Sequence, residues 1–151
     1  MSARAASRLV TLGFANVYRY QGGKADWFAL GLPREGKEAH MPRVADVAKR
    51  DVATCRQDER VADVRNRVDG EPLVVVDTDR VVLGLVALDA LTDDLASPIE
   101  QVMDPAPVTF RPDVQAGDVP NYFKKQGVRH AIVTTSDGVL IGLIRLHSMD
   151  V

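Results

Sequence analysis

The chain has a single cysteine, Cys55, in 151 residues. An internal disulfide framework is therefore excluded, and a reducing cytoplasm is the expected setting. No stretch reaches the roughly 18 consecutive apolar residues of a membrane span, so no membrane partner is expected. The opening MSARAASRLVTLGF is basic and Ala-rich but lacks an unbroken apolar core and a cleavage site, which argues against a secretory signal. An excess of positive charge is missing too. The formal net charge is −2, which argues against general nucleic-acid binding. His40, His130 and His147 are scattered, without paired ligands at metal spacing, so no zinc site is expected. GGK at Gly22–Lys24 lacks the spacing and the following Ser or Thr of a phosphate loop. Spacing alone supports no Ser-His-Asp arrangement, because such triads are defined by geometry. Asp93 and Asp94 read as a solvated pair, and the lone Trp27 as a core anchor.

What is present is apolar surface and repetition. Hydrophobic residues make up 46% of the chain, enough for a packed core in one domain or two small ones. Charge is unevenly spread: residues 1–38 carry six Lys/Arg and three Asp/Glu, whereas residues 39–151 carry thirteen and eighteen. That break is a first sign of two joined units. Within the second unit, VADVAKRDVATCRQDERVADV (Val44–Val64) aligns with IEQVMDPAPVTFRPDVQAGDV (Ile99–Val119). Val47 matches Val102, Thr54 matches Thr109, Arg56 matches Arg111, Asp58 matches Asp113 and Val64 matches Val119, always 55 residues apart. Gly84 and Gly142 lie 58 apart, so the second copy has a slightly longer middle. A common offset over this many positions marks an internal repeat.

Both copies predict the same elements. A short helix ends near Lys49 or Met103, and an extended piece follows at Ala53–Cys55 or Val108–Phe110. Asp58 or Asp113 stands where an N-cap belongs. The next helix is amphipathic, with Val61, Val64 and Val68 in one copy and Val119, Tyr122 and Phe123 in the other. Two strands come next, PLVVV or HAIVT, then Val81–Val86 or Val139–Ile144, linked by the polar turns DTDR and TSDG. A closing helix is expected near Leu88. The first 38 residues stand outside the repeat. Ala5, Leu9 and Leu12 share a helical face that stops at Gly13, NVYRY reads as a strand, and GGKADWFALGLP reads as a turn and a short helix. Pro33–Pro42 reads as a linker.

A tandem β-α-β-β-α unit of about 55 residues, with an apolar strand running through Gly-apolar-apolar, resembles a pair of CBS domains over residues 42–151. The resemblance implies an α+β fold with a first repeat at 42–97, a second at 98–151, and a pseudo-twofold disc of two small sheets. It implies clefts between the copies for an adenine nucleotide (AMP, ADP or ATP) or S-adenosylmethionine, and a homodimer formed through the repeats. In that family a Thr or Ser three residues after the strand glycine, and an Asp three further on, hold ribose and phosphate. Here those positions are Ala87 and Ala90 in one copy and Arg145 and Ser148 in the other, with Asp89 and His147 one residue short of the Asp position. A one-residue shift on a helix turns a side chain by about 100°. Carried over to this chain, the ligand-binding positions are Thr54, Leu73 and Ala87, and Val108, Thr109, Arg129, His130, Ala131, Arg145 and Ser148. Arg145, Arg129, His130 and Lys124 suit a phosphate. Two readings of these cations stay open here, an anion site and an ordinary solvated surface.

LGFANVYRYQGGKADWFALGLP (Leu12–Pro33) resembles the C-terminal end of a rhodanese domain, over Ser2–Glu35. The resemblance implies an α-β-α remnant at 1–38. Rhodanese chemistry requires a cysteine loop just before the helix that starts near Ser2, and this chain carries none there. Cys55 belongs to the repeat and reads as a small buried hydrophobe. The remnant's apolar residues, Ala5, Leu9, Leu12, Trp27, Phe28 and Leu32, are expected to dock on the disc or on a second chain. Three functions follow: a non-enzymatic nucleotide-sensing module, a rhodanese-type sulfurtransferase with a CBS pair whose start has been placed too late and which is inactive in this chain, or an assembly module with dead pockets.

Overall fold

A computed structural model describes residues 3–91 and 95–146. Asp93, Asp94, His147 and Ser148 lie outside the described residues. Helices α1 (Ala3–Thr11) and α2 (Gly23–Ala29) form the N-terminal segment. The first copy contributes α3 (Val44–Val47), β1 (Thr54–Cys55), α4 (Val61–Val64), β2 (Leu73–Val76) and β3 (Val82–Val86). The second contributes α5 (Ile99–Val102), β4 (Thr109–Phe110), α6 (Val119–Gln126), β5 (His130–Thr134) and β6 (Leu140–Arg145). Each copy builds one three-stranded sheet, with the short strand parallel to the next and the last pair antiparallel.

The two sheets face each other. Side chains alternate along a strand, so β2 sends Val74 and Val76 to one face and Leu73 and Val75 to the other. Val74 and Val76 meet Ile132, Leu140 and Leu143 of the second sheet in a central cluster. Leu73 and Val75 pack under α4 with Cys55, Val61 and Val64. Ala131 and Val133 do the same under α6 with Val119 and Phe123. Every β2 residue is buried because helices cover one face and the other sheet covers the second.

The copies also exchange their first helices. Val44 of α3 lies in the core of the second half, and Ile99 of α5 in the core of the first. The exchange explains why Asp58 and Asp113 do not cap helices. The residues preceding α4 and the 3-10 turn Ala116–Asp118 are Arg60 and Gln115, which pair as isolated bridges with Pro98 and Arg43. Backbone carbonyls take the free amides directly: Val61 and Ala62 donate to Ser97 and Leu95 in the chain that leads into α5, and across the copies Ile99 donates to Glu59 and Val44 to Val114. With backbone acceptors in place, no side-chain cap is needed.

The repeated glycines have the same origin. A Cβ on Gly142 would lie 2.5 Å from the Lys49 carbonyl oxygen, and one on Gly84 2.8 Å from that of Asp104. Lys49 pairs with Leu143 and Asp104 with Leu85, so each exchanged helix runs off across the opposite hairpin where only glycine leaves room. The longer middle of the second copy goes into its amphipathic helix. α4 is one turn followed by the 3-10 turn Arg65–Arg67, whereas α6 has eight residues and ends on Gly127 at φ 67°.

Several expectations are corrected. NVYRY forms no strand, because no strand among the described residues lies beside it to pair with, so the N-terminal segment is helix–coil–helix rather than α-β-α. The closing element near Leu88 is a 3-10 turn, Asp89–Leu91, within the described residues. Tyr122 is 39% exposed; its ring stands edge-to-face with Phe110, 5.2 Å between ring centres, instead of entering the core. Docking of the N-terminal residues divides between the two helices. The guanidinium groups of Arg34 and Arg43 both lie over the Phe28 ring, 5.2 and 5.5 Å from its centre, and Arg34 pairs with Asp46 of α3 at 2.9 Å. This joint fastens α2 to the start of α3, with Trp27 Nε1 donating to the Pro33 carbonyl. On the α1 side, Val10, Leu12 and Phe14 stay exposed.

Candidate functional site

Two clefts occupy equivalent places in the repeat. Each lies where the chain leaving an exchanged helix enters the short strand, beside the start of the central strand. In the second copy, Asp104 is anchored to Leu85 by paired backbone bonds of 2.8 and 3.0 Å, and Pro107 and Val108 lead into β4. The opposite wall is Val128, Arg129 and His130, entering β5. Together with Ala106 and Leu85 they enclose about 390 Å³. A neighbouring lobe of about 470 Å³ shares Arg129 and His130 and adds Gly70, Arg145 and Leu146. Gly70 and Leu85 belong to the first copy, so the cavity spans both halves.

The first copy's cleft holds about 190 Å³ and is lined by Lys49, Asp51, Val52, Ala53, Asp69 and Glu71. By the repeat, Lys49 stands where the second copy has Asp104, Glu71 where it has Arg129, and Ala87 where it has Arg145. Carboxylates therefore dominate the first cleft and guanidinium groups the second. The two meet at Glu71, whose Oε2 accepts from Lys49 Nζ at 2.6 Å and Oε1 from Arg145 Nη2 at 2.7 Å. Arg129 has no ion pair among the described residues. Burial holds the His130 imidazole below its ordinary pKa, and the adjacent Arg145 and Arg129 push the same way against Glu71. His130 thus enters the cleft as a neutral ring at pH 7, able to donate or accept.

Of the residues singled out from sequence, Val108, Arg129, His130 and Arg145 come together in the second cleft. Thr109 is exposed on β4 beside it, paired with Ile132. Ala131 and Leu73 are 1% and 0% exposed, with side chains in the two helix-side cores, so they offer a ligand no side chain. Thr54 pairs with Val74 and is half-buried; Ala87 is exposed at the end of β3. Lys124 is exposed on α6, away from both clefts. Sequence reasoning missed Glu71, Lys49 and Asp104. The available signal was the sign reversal at repeat-equivalent positions, Glu71 against Arg129 and Lys49 against Asp104.

Comparison with known proteins agrees with this geometry. Residues 99–149 match the family model of the CBS domain. No curated protein sequence matches the chain. Among solved structures, a CBS-domain containing protein from Agrobacterium tumefaciens is similar at 20% identity and TM-score 0.62, over 77% of this chain and 96% of that one. CBSX2, solved in complex with AMP, is similar at 19% identity and TM-score 0.61, over 72% and 93%. A CBS domain pair solved with 5'-methylthioadenosine and S-adenosyl-L-methionine is similar at 16% identity and TM-score 0.62, also over 72% and 93%. The fold is that of a CBS pair. No helix of the described residues is long and apolar enough to cross a membrane.

Proposed function

We propose that the chain is a non-enzymatic regulatory module that binds an adenine nucleotide in its second cleft and works as a cytoplasmic homodimer formed through the repeats. The observation that carries this reading is the second cleft itself. Apolar Pro107, Val108 and Val128 suit a purine face, and Arg129 and Arg145 lie at the other lobe for a phosphate. The AMP-bound relative of the same fold supports the ligand class. Two guanidinium groups favour a phosphate ligand over the sulfonium of S-adenosylmethionine. Because the cavity draws on both halves, a ligand in it favours one relative placement of the sheets by its differential affinity, and a partner reads the change.

The N-terminal segment, held by the Phe28 joint, is read as an adapter rather than as a sulfurtransferase. Cys55 is 2% exposed, and burial, aided by Glu59, pushes its thiol up to about 11, which leaves no nucleophilic thiolate at neutral pH. The purified chain is expected to form no thiocyanate from thiosulfate and cyanide; formation by this chain would refute the adapter role.

The test of ligand binding is thermal unfolding with AMP, ADP, ATP, S-adenosylmethionine and NADH at millimolar concentration. A ligand present at about 100 times its dissociation constant stabilises by about 2.7 kcal/mol, several degrees for a domain of this size. A shift with the phosphate-bearing adenine compounds is expected. No shift with any of the five would leave an assembly module with dead pockets.

A further inference from the structure

Glu71 is shared by the two clefts. It lines the first, and its carboxylate reaches across to Arg145, a wall residue of the second. Each oxygen has its own cation, Lys49 at 2.6 Å and Arg145 at 2.7 Å, and the side chain is 19% exposed. A carboxylate on a guanidinium uses the same donors that a phosphate oxygen would use. Arg145 is thus already engaged by an anion that belongs to the chain, while the lobe beside it stays open at about 470 Å³.

We infer that Glu71 is an internal counter-anion that occupies Arg145 in place of a ligand phosphate, and that a phosphate entering the second cleft displaces it. The inference rests on the nucleotide reading above and makes Glu71 its specificity-determining residue. A phosphate must displace Glu71 before it can use Arg145 and a bare nucleoside need not, so Glu71 sets, by lowering it, the cleft's preference for ligands that carry phosphate. Displacement also links the clefts. Once Arg145 is given up, Glu71 keeps only Lys49, beside Asp69 and Asp51 in the first cleft. Lys49 is bonded through both backbone groups to Leu143 of β6, at 2.9 Å each, so a pull on its side chain acts on the strand that carries Arg145. Occupancy of one cleft is thereby felt at the seam between the halves.

The test is calorimetric titration of AMP and adenosine into wild type, Glu71→Gln and Lys49→Ala. Removing the internal anion should tighten AMP binding by about two- to fivefold, the range of a partly screened ion pair, and leave adenosine unchanged. Removing Lys49 should do the opposite, because Glu71 is then committed to Arg145 alone and AMP binds more weakly. A purely structural role for the trio would weaken AMP binding in both variants and would overturn the inference. So would equal AMP affinity in all three proteins, which would leave the nucleotide reading standing. If neither AMP nor adenosine binds any of the three, the nucleotide reading fails and inorganic pyrophosphate decides. Tighter pyrophosphate binding in Glu71→Gln than in wild type supports the counter-anion, and equal or absent binding refutes it.

Discussion

The two clefts are framed alike and lined differently. Around both, an exchanged helix ends in a backbone pair with the opposite hairpin, Lys49 with Leu143 and Asp104 with Leu85, and a glycine makes room for it. Inside, the first is narrow and mostly carboxylate, whereas the second is wider and carries Arg129 and Arg145. A frame set by steric necessity is repeated, while the wall residues, which no packing constraint fixes, differ in sign. Architecture in such a repeat can therefore be read from either copy, and ligand preference only from each wall separately.

The largest expected break in this comparison comes from the helices behind the clefts. Phe123 is fully buried under the second sheet; its repeat position, 55 residues earlier, is the half-buried Val68. Phe123→Ala should cost about 3–5 kcal/mol in urea unfolding. Val68→Ala should cost well under half as much. Equal losses would mean that the two halves do not differ in how firmly α6 and α4 hold them. Next come the glycines. Gly142→Ala should cost about 1–3 kcal/mol, more than Gly84→Ala, because its Cβ would press on the Lys49 carbonyl at 2.5 Å rather than on Asp104 and the flexible Met103 at 2.8 Å. A milder effect at Gly142 than at Gly84 would contradict the close approach described.

Much of this frame was legible in the sequence. The strands fall within a residue or two of their expected bounds because alternating or continuous apolar runs between polar turns leave little choice of register, as at His130–Thr134. The exchange of α3 and α5 was not legible. Two four-residue helices with similar apolar faces fit either half, and only the fold decides which core Val44 and Ile99 enter. Asp58 and Asp113 misled for the same reason, since the amides they would cap are taken by carbonyls in the chain leading into the exchanged helices, Val61 by Ser97 and Ala116 by Pro42. NVYRY has strand composition without a strand to pair with. Within the site, Arg129, His130 and Arg145 were legible from position in the repeat. Glu71 was not, because its partner Arg145 is 74 residues away and the pair belongs to no local motif.

A smaller effect separates the clefts by pH. His130 titrates below its ordinary value of 6.5, whereas its repeat counterpart is Pro72, which does not titrate. As pH falls below 6.5 the unfolded chain takes up a proton before the folded one, so folded stability declines from there downward. The urea midpoint should fall between about pH 7 and about pH 5 by more in wild type than in His130→Asn. Parallel midpoints would show that this imidazole is not held neutral.

The central claim is that one cleft of the two takes the nucleotide. Calorimetric titration of AMP into the purified wild-type chain and into Arg145→Ala tests it most directly. The account predicts one site per chain in the wild type and loss of that site in the variant. Two sites per chain, or a single site untouched by Arg145→Ala, would contradict it.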